Sequence, residues 1–447
     1  MESVVEPSQG TSTGAARGAV ETRVGAATPL RVAIDAHVVP GEFGGTQQVV
    51  MGLAHGLSQL RDGDEEYFFL TYDGDQSWLE PHVAGPCRIF ATAANPAPPA
   101  WKRFARRVVP FLAPLWRRAR YGSAPAPLGP PPSDGAAERL GAGVVHLPLQ
   151  SGFLTDIPSI YHPHDLQHLH LPEFFTPEQI AAREALYRTL CDKAEMVTVT
   201  SQWNKRDLVE HYALPEDKVV VIQLAPALGA YAEPTAEDLA ETRRRLRLPE
   251  RFAYYPAQTW PHKNHVRLLE ALAELRDRTG IEVPFVSSGH LNEHYEAIRE
   301  RVAALRLQDA TRFLGFVSAA DVQALYRLAT VVVVPTLFEA AGGFGPVSEA
   351  FLSGTPVAVS NVTSLPEEVD DAALVFDPLD VSAISSAIER LWTDDALRTQ
   401  LAERGRERVS RFTWERTART FRAHYRRLAG RTLTAEDEAL IAAPPAF

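Results

Sequence analysis

One stretch constrains the fold of this chain more than any other, because it places a glycine-rich loop between two apolar runs. The first run is Val331–Val334 and the second is Pro356–Val359. Between them, Pro346 can open a helix because a first-turn proline loses no hydrogen bond, and Gly354 can end it. The pattern predicts strand, loop, short helix and strand, which is a unit of a parallel sheet.

The same loop indicates a class of ligand. Free backbone N–H groups and the positive dipole end at such a helix start suit a phosphate group. Two carboxylates, Glu339 and Glu349, flank the loop. Because carboxylates repel phosphate, we expect them to accept hydrogen bonds from sugar hydroxyls instead. Phosphate binding beside polyol binding predicts a sugar nucleotide, and the alternative is an ordinary helix-start loop of an α/β domain.

Apolar runs alternate with helical patterns in two successive series along the chain. The first series of predicted strands is Arg31–Asp35, Tyr67–Tyr72, Val144–Leu147, Ser159–Tyr161, Val197–Thr200 and Val219–Ile222. The second is Phe252–Tyr255, Phe285–Ser288, Phe313–Gly315, Val331–Val334, Pro356–Val359 and Leu374–Phe376. Strands alternating with helices predict doubly wound, mostly parallel α/β sheets, and 447 residues suffice for two such domains.

The glycine-rich loop resembles the donor site of glycosyltransferase family 4, whose members are retaining enzymes with the GT-B fold. That family shows a Glu, then Gly-Phe-Gly and Pro, then a second Glu eight positions after the first. The matching residues here are Gly343, Phe344, Gly345, Pro346 and Glu349. Glu339 lies ten positions before Glu349, and Ala341 occupies the place of the first Glu. Either the loop has two extra residues or Glu339 has another role.

The resemblance implies two Rossmann-like doubly wound domains facing each other across a cleft, with a C-terminal helix crossing back to the N-terminal domain. Phe412–Leu428 is similar to that closing helix. The predicted segments are a disordered tail (1–29), an N-terminal acceptor-side domain (30–224) with a basic, proline-rich insertion (101–133), a C-terminal donor domain (225–411), the crossover helix (412–429) and a tail (430–447).

The resemblance also implies roles for individual residues. The predicted catalytic residues are Lys263, which would meet the diphosphate, His164, which would lie near the transferred sugar, and Glu339. Gln258 stands where the family has an arginine, five residues before Lys263. The predicted donor-binding residues are Gln258, Phe316, Val317, Gly342, Gly343, Phe344, Gly345 and Glu349. Gly44 and Gly45 would form a loop that borders the acceptor and the phosphates.

The activity implied by the resemblance is transfer of a sugar from a nucleoside-diphosphate sugar to a hydroxyl of a glycan or lipid-linked acceptor, without a metal or a further cofactor. The motifs PHDLQHLHLPEFF, YPAQTWPHKNH and SNVTSLPEE look most like bacterial family members that build polysaccharides, often from GDP-mannose.

Two other functions remain open. Histidine clusters bind zinc, so a metal-dependent hydrolase is one alternative. The cluster here has Asp165 among four histidines: His162, His164, His168 and His170. A relative that binds a nucleotide without catalysis is the other alternative, because Ala341 and Gln258 depart from the family pattern.

The composition limits which binding partners and which cellular compartment we expect for this protein. A formal net charge of −11 argues against general nucleic-acid binding. Only two cysteines, Cys87 and Cys191, fit a reducing cytosol, and neither a signal peptide nor a long apolar run is evident. We therefore expect a cytoplasmic protein. Trp101–Arg120, with seven Lys or Arg and no acid, would suit peripheral contact with an anionic membrane at the inner face, or it is a solvated surface helix.

Overall fold

Two parallel sheets organise the chain in the computed structural model, which describes residues 28–39, 45–74, 76–94, 129–230, 233–340 and 345–445. The strands of the first sheet are β1 (Arg31–Asp35), β2 (Glu66–Asp73), β3 (Cys87–Ala94), β4 (Val144–Leu147), β5 (Ser159–Tyr161), β6 (Met196–Val199) and β7 (Val219–Val221). Those of the second are β8 (Ala253–Pro256), β9 (Phe285–Ser288), β10 (Thr311–Phe313), β11 (Val331–Val334), β12 (Val357–Ser360) and β13 (Leu374–Phe376).

Helices connect the strands and cover the sheets. Those before the second sheet are α1 (Gly45–Ser58), α2 (Ala136–Arg139), α3 (Gln167–His170), α4 (Pro177–Lys193), α5 (Gln202–Tyr212) and α6 (Ala236–Arg245). Those that follow are α7 (His265–Thr279), α8 (Tyr295–Ala304), α9 (Ala319–Leu328), α10 (Pro346–Ser353), α11 (Leu365–Val369), α12 (Val381–Thr393), α13 (Asp395–Val409), α14 (Trp414–Leu428) and α15 (Ala435–Ala442).

The strand orders are β3-β2-β1-β4-β5-β6-β7 and β10-β9-β8-β11-β12-β13, so both sheets are doubly wound. In each sheet the order reverses beside the first strand in sequence, which opens a crevice at the carboxyl ends of the strands. The residues of β11 are fully buried, as expected where helices cover both faces, and Val332 pairs with Val357 of β12. The predicted fold class, with two Rossmann-like domains, is confirmed.

The C-terminal helix α14 crosses back to the N-terminal domain, as predicted, and begins at Trp414. The Trp414 indole donates to the carbonyl oxygen of Pro226 at 3.0 Å. Its ring lies directly on Gly52 of α1, where an added Cβ would come within 1.9 Å of Trp414 Cζ2. Farther along α14, the hydroxyl of Tyr425 lies 2.7 Å from Nδ1 of the buried His146 on β4. Close backbone approach and two buried polar contacts therefore fix this helix.

Two ion pairs fix the second half of the same helix to the N-terminal domain. Arg422 Nη1 lies 2.5 Å from Asp62 Oδ1, and Arg426 Nε lies 2.6 Å from Glu65 Oε1. Arg422 and Glu65 are almost completely buried. Each of these buried charges has an oriented partner, and removing that partner would leave an uncompensated buried charge.

The predicted tail 430–447 contains the helix α15. Thr434 caps this helix by accepting from the Asp437 backbone N–H at 3.1 Å. Asp437 Oδ2 lies 2.9 Å from Arg426 Nη1, so α15 packs back onto α14.

Two predicted segments lie largely outside the described residues. These are residues 1–27 of the N-terminal tail and residues 101–128 of the basic insertion. Among the helices of the described residues, none combines the length and apolar character that crossing a bilayer requires.

Candidate active site

Lys263 is placed by a tight turn between β8 and α7. The turn Pro261–Lys263 is 3₁₀-helical, and Asn264 follows it with a φ of 60°, a left-handed conformation that asparagine tolerates better than most residues. The buried Asn264 amide donates to the carbonyl oxygens of Pro335 and Pro378, each at 2.9 Å. The turn is thereby fixed to the segments that follow β11 and β13.

The lysine and the loop carboxylate predicted from the sequence form an ion pair. Lys263 Nζ lies 2.6 Å from Glu339 Oε2, and the two side chains are 19% and 18% exposed. The carbonyl oxygen of Glu339 accepts from the Ser364 hydroxyl at 3.1 Å and also from that of Thr363. The backbone that carries Glu339 is therefore positioned by the loop between β12 and α11.

The residue after Glu339 joins the two domains. The carbonyl oxygen of Ala340 accepts from Asn204 Nδ2 of α5 at 2.6 Å and from the Thr200 hydroxyl at 3.0 Å. Asn204 Nδ2 also donates to the carbonyl oxygen of His164 at 3.2 Å. One buried amide thus connects the loop that carries His164 to the loop that carries Glu339.

His164 occupies a strained backbone position beside this contact. Its φ is 67°, which is uncommon for a residue with a side chain, and such strain is often found at functional sites. Its Nε2 lies 2.8 Å from the carbonyl oxygen of Pro148. Because a carbonyl only accepts, Nε2 carries the proton and Nδ1 is left as an acceptor. Burial lowers the pKa of His164, which favours the neutral ring.

Asp165 adds a second carboxyl group near the Lys263–Glu339 pair. Burial raises the pKa of Asp165, and the negative charge of Glu339 acts in the same direction. The Asp165 side chain accepts from the Gln167 backbone N–H at 3.1 Å, which shapes the start of α3. A buried carboxyl group of the N-terminal domain therefore interacts electrostatically with Glu339, the partner of Lys263.

Glu349 lies in the first turn of α10, with its carboxylate turned to Tyr326 of α9. The Tyr326 hydroxyl donates to Glu349 Oε2 at 2.7 Å. Burial raises the pKa of Glu349 to about 7, although the hydrogen bond from Tyr326 acts against this rise. Gly345, just before the helix, has a φ of 102°, which favours glycine at this position.

The remaining predicted donor residues that the structure describes lie where strands of the second sheet end. Gln258 follows β8, and its Oε1 accepts from the Trp260 indole at 3.0 Å. Phe316 follows β10 and is 79% exposed, whereas Val317 packs partly against the core. The structure therefore leaves an exposed aromatic ring on the carboxyl edge of this sheet.

Several predicted residues lie outside the described part of the chain: Gly44, Gly342, Gly343 and Phe344. Gly45 is described and begins α1. The predicted roles of all five in binding phosphates, donor or acceptor stay predictions.

The histidine cluster of the hydrolase alternative does not form one ligand set. His162 and His164 stack with ring centroids 3.9 Å apart. His168 and His170 instead bond to different carboxylates, namely Glu184 at 2.8 Å and Asp207 at 2.7 Å. Within the described ranges, no three of these four histidines and Asp165 meet as metal ligands. The ligand set proposed for a hydrolase is therefore wrong, because the short helix α3 turns its histidines to separate partners.

Four residues of the site were not found from the sequence: Asn204, Asn264, Tyr326 and Thr363. Asn264 offered one usable signal, because asparagine before a helix tolerates a left-handed turn. The others act through contacts between distant segments, as when Tyr326 reaches Glu349. Nothing in their local sequence indicates such contacts.

Comparison with known proteins places the chain in a family. The sequence profile described as Glycosyltransferase Family 4 matches residues 43–225, and the profile of Glycosyl transferases group 1 matches residues 239–408. The chain is 31% identical over 263 residues to the O-antigen chain mannosyltransferase B of Escherichia coli, across 58% of this chain and 68% of that protein. It is 29% identical over 235 residues to the serotype-specific mannosyltransferase WbdA of Escherichia coli, across 51% of this chain but 28% of that longer protein.

A solved structure agrees with the fold. Anabaena HepE, crystallised with UDP and glucose, superposes with a TM-score of 0.63 at 17% identity, and the match covers 88% of this chain and 99% of that one. The molecule is therefore a GT-B glycosyltransferase. Because two profiles match in succession and one relative is covered over two thirds of its length, the chain belongs to glycosyltransferase family 4.

Proposed function

We propose that this glycosyltransferase moves a sugar from a nucleoside-diphosphate sugar to an acceptor hydroxyl and keeps the anomeric configuration. One observation carries the proposal: the Lys263–Glu339 ion pair lies one residue from the contact between Ala340 and Asn204. A cation and a carboxylate are thus held together where the two domains meet, which is where a donor and an acceptor would have to meet.

Lys263 would stabilise the charge that develops on the leaving diphosphate. In this role an oriented cation acts by electrostatic stabilisation rather than by covalent chemistry. Before the donor binds, Glu339 is the partner of Lys263. An arriving diphosphate would compete for the ammonium group, so the Glu339 carboxylate would become available to a hydroxyl of the donor sugar.

His164 would act as a neutral hydrogen-bond acceptor. With the proton on Nε2 bound to Pro148, the free position is Nδ1, which can accept from a sugar hydroxyl. Glu349 would accept from the ribose hydroxyls once its bond with Tyr326 opens or is shared.

Retention follows if the acceptor attacks from the side that the diphosphate leaves. The leaving phosphate oxygen then takes the proton of the acceptor hydroxyl, and the acceptor oxygen bonds to the anomeric carbon as the bond to phosphate breaks. This scheme uses no protein nucleophile and no metal, so we propose transfer that is independent of divalent cations.

We propose mannose, supplied as GDP-mannose, as the transferred sugar and a growing polysaccharide as the acceptor. The support is that two of the similar proteins are named mannosyltransferases, one of them for the O-antigen chain. The test is a panel of UDP, GDP, ADP and their sugars in a thermal-shift assay, since a ligand at 100 times its dissociation constant stabilises by about 2.7 kcal/mol.

Turnover is then measured with the nucleotide sugar that stabilises best, in the presence of a chelator, and the product is examined by proton NMR. An α-linked product from an α-linked donor supports retention, and a β-linked product contradicts it. Binding without turnover on any polysaccharide or lipid-linked acceptor would favour the non-catalytic alternative.

The basic segment Trp101–Arg120 would hold the enzyme against an anionic membrane that carries a lipid-linked acceptor. Each basic residue contributes about 1 kcal/mol of binding free energy near such a surface. Only charges within a Debye length of about 8 Å of the membrane determine this attraction, so the basic segment can bind although the net charge of the chain is negative. Cosedimentation with anionic liposomes should be strong at low salt and weaker with Arg103, Arg106 and Arg107 changed to Glu. Equal binding to neutral vesicles would contradict this role.

A further inference from the structure

Two histidines and an aspartate outside the candidate active site lie close together. His170 ends α3, and Asp207 and His211 lie one turn apart on α5. Asp207 Oδ1 lies 2.7 Å from His170 Nε2 and 3.2 Å from His211 Nδ1. One nitrogen from each ring and a carboxylate oxygen all lie within 4.8 Å of one another.

The ligand atoms of this group, and their partial exposure to solvent, suit a transition metal ion. Two imidazole nitrogens and one carboxylate oxygen form a common ligand set for zinc, which leaves a fourth position to water. Tetrahedral bonds of about 2.0–2.1 Å place ligand atoms about 3.3 Å apart. The two nitrogens lie 2.7 Å and 3.2 Å from Asp207 Oδ1, and the whole group lies within 4.8 Å. The rings of His170 and His211 are 30% and 35% exposed, while Asp207 is 7% exposed, so an ion can enter from solvent onto a fixed carboxylate.

We propose that His170, Asp207 and His211 form a binding site for a divalent transition metal ion, with Zn²⁺ as its natural occupant. The role is structural rather than catalytic, because none of the three residues contacts Lys263, Glu339 or Glu349 in the described hydrogen bonds. The metal joins α3 to α5 through side chains that otherwise meet at Asp207 Oδ1, where His211 Nδ1 also lies 2.9 Å from the Asp207 carbonyl oxygen.

Metal binding would also strengthen the contact between the domains. The His170 ring centroid lies 5.4 Å from that of Phe338, which belongs to the C-terminal domain and directly precedes Glu339. Trp203 packs on both rings, at 5.4 Å from His170 and 5.9 Å from Phe338. An ion on His170 would restrict its ring to the orientation that meets Phe338, and so favour the closed arrangement of the two loops.

The test uses the full chain, stripped with a chelator and dialysed, and titrated with Zn²⁺ by calorimetry. Wild-type protein should bind one equivalent. His211→Ala and Asp207→Asn should each lose affinity by at least about tenfold, since each removes a ligand or its charge. His55→Ala, at a half-buried histidine of α1, is the matched control and should bind as wild type does.

The absorption spectrum of bound Co²⁺ gives a second measurement, which reports the ligand set directly and distinguishes loss of a ligand from misfolding. Co²⁺ should produce visible absorption bands of a four-coordinate site in wild type and in His55→Ala, and these should be absent in His211→Ala. Melting in chelator should show that the variants fold. Failure of wild type to bind one equivalent of Zn²⁺, or equal binding by folded His211→Ala, would overturn the proposal and leave the group as a hydrogen-bonded triad.

Discussion

The ammonium group of Lys263 lies 2.6 Å from the carboxylate of Glu339, and this pair joins segments that follow two neighbouring strands of the second sheet. Asn264 fixes the lysine turn, and Ser364 fixes the glutamate backbone. Both partners are therefore held before any ligand arrives. A charge stabiliser placed in advance costs no rearrangement at the moment of reaction.

Lys263→Ala should lower kcat/KM by at least about a hundredfold, the scale of one lost electrostatic contact to a transition state. In the proposed mechanism the lysine would carry much of this stabilisation, because Gln258, hydrogen-bonded to Trp260, brings no charge. Steady-state kinetics with the preferred donor provide the measurement, and Lys193→Ala, an exposed lysine on α4, is the control. A folded variant that loses less than threefold would remove Lys263 from the proposed role.

Glu349→Ala should weaken donor binding by at least about tenfold and more than Glu339→Ala does. Glu349 lies on a helix and is oriented by Tyr326, whereas Glu339 lies ten positions earlier in the sequence and is engaged by Lys263. A hydrogen bond to a charged group contributes about 1.5–3 kcal/mol. Isothermal titration at pH 8, above the pKa of about 7 of Glu349, makes the comparison with the carboxylate ionised.

Two results complete that comparison. Tyr326→Phe keeps the Glu349 carboxylate but removes its partner, so its effect should be smaller than that of Glu349→Ala. If Glu339→Ala has the greater effect on affinity, then Glu339 is the principal sugar contact despite its spacing.

Glu368 should make the protein less stable as the pH rises. It is 2% exposed, and the Ser348 hydroxyl donates to it at 2.5 Å. Burial raises its pKa from 4.5 to about 8. Because the folded state holds the proton more tightly, the stabilisation is complete below about pH 4.5 and is lost as the pH rises to about 8.

The measurement is the free energy of unfolding by urea at pH 5 and pH 8.5, for wild type and for Glu368→Gln. Between these two values, wild type should lose about 1–4 kcal/mol more than the glutamine variant. Equal losses in the two proteins would mean that Glu368 is not protonated in the folded state at neutral pH.

Gly52→Ala should destabilise the protein by at least about 1 kcal/mol, although alanine favours a helix. The added Cβ would overlap the Trp414 ring, and Trp414 is held by its bond to Pro226. Thermal melting tests this, with Gly229→Ala as control because a Cβ there meets nothing closer than 4.0 Å. Equal melting temperatures would show that the crossover helix can shift without cost.

The sequence is most informative where the local residues alone determine whether a segment forms a helix or a strand. The valines of β11 and the glycine and proline before α10 predict their elements because both backbone and burial act locally. Strand β3 was missed: CRIFATAA has no run of branched apolar residues, and it forms an edge of the sheet. Strand β10 ends at Phe313, before the predicted Gly315, which has a left-handed φ of 70°.

The site was only partly predictable for a physical reason. Lys263 and Glu339 could be proposed separately, but their ion pair depends on the packing of neighbouring strands. The Asn204 amide contacts His164, which is 40 positions away in sequence, and Ala340, which is 136 positions away, and no local pattern indicates such partners. The histidines illustrate the same limit: although they are close in sequence, His168 and His170 bond to different carboxylates.

The amide of Asn204 has a consequence for the timing of the reaction. Its nitrogen donates to the carbonyl oxygen of Ala340 in the C-terminal domain at 2.6 Å and to that of His164 in the N-terminal domain at 3.2 Å. Separating the domains would break the bond to Ala340 and expose the amide to water. If the proposed donor enters and the nucleotide leaves by separation of the two domains, that opening includes this step. The lifetime of the closed molecule, and with it the slowest stage of a turnover, would then depend on a side chain that touches no substrate.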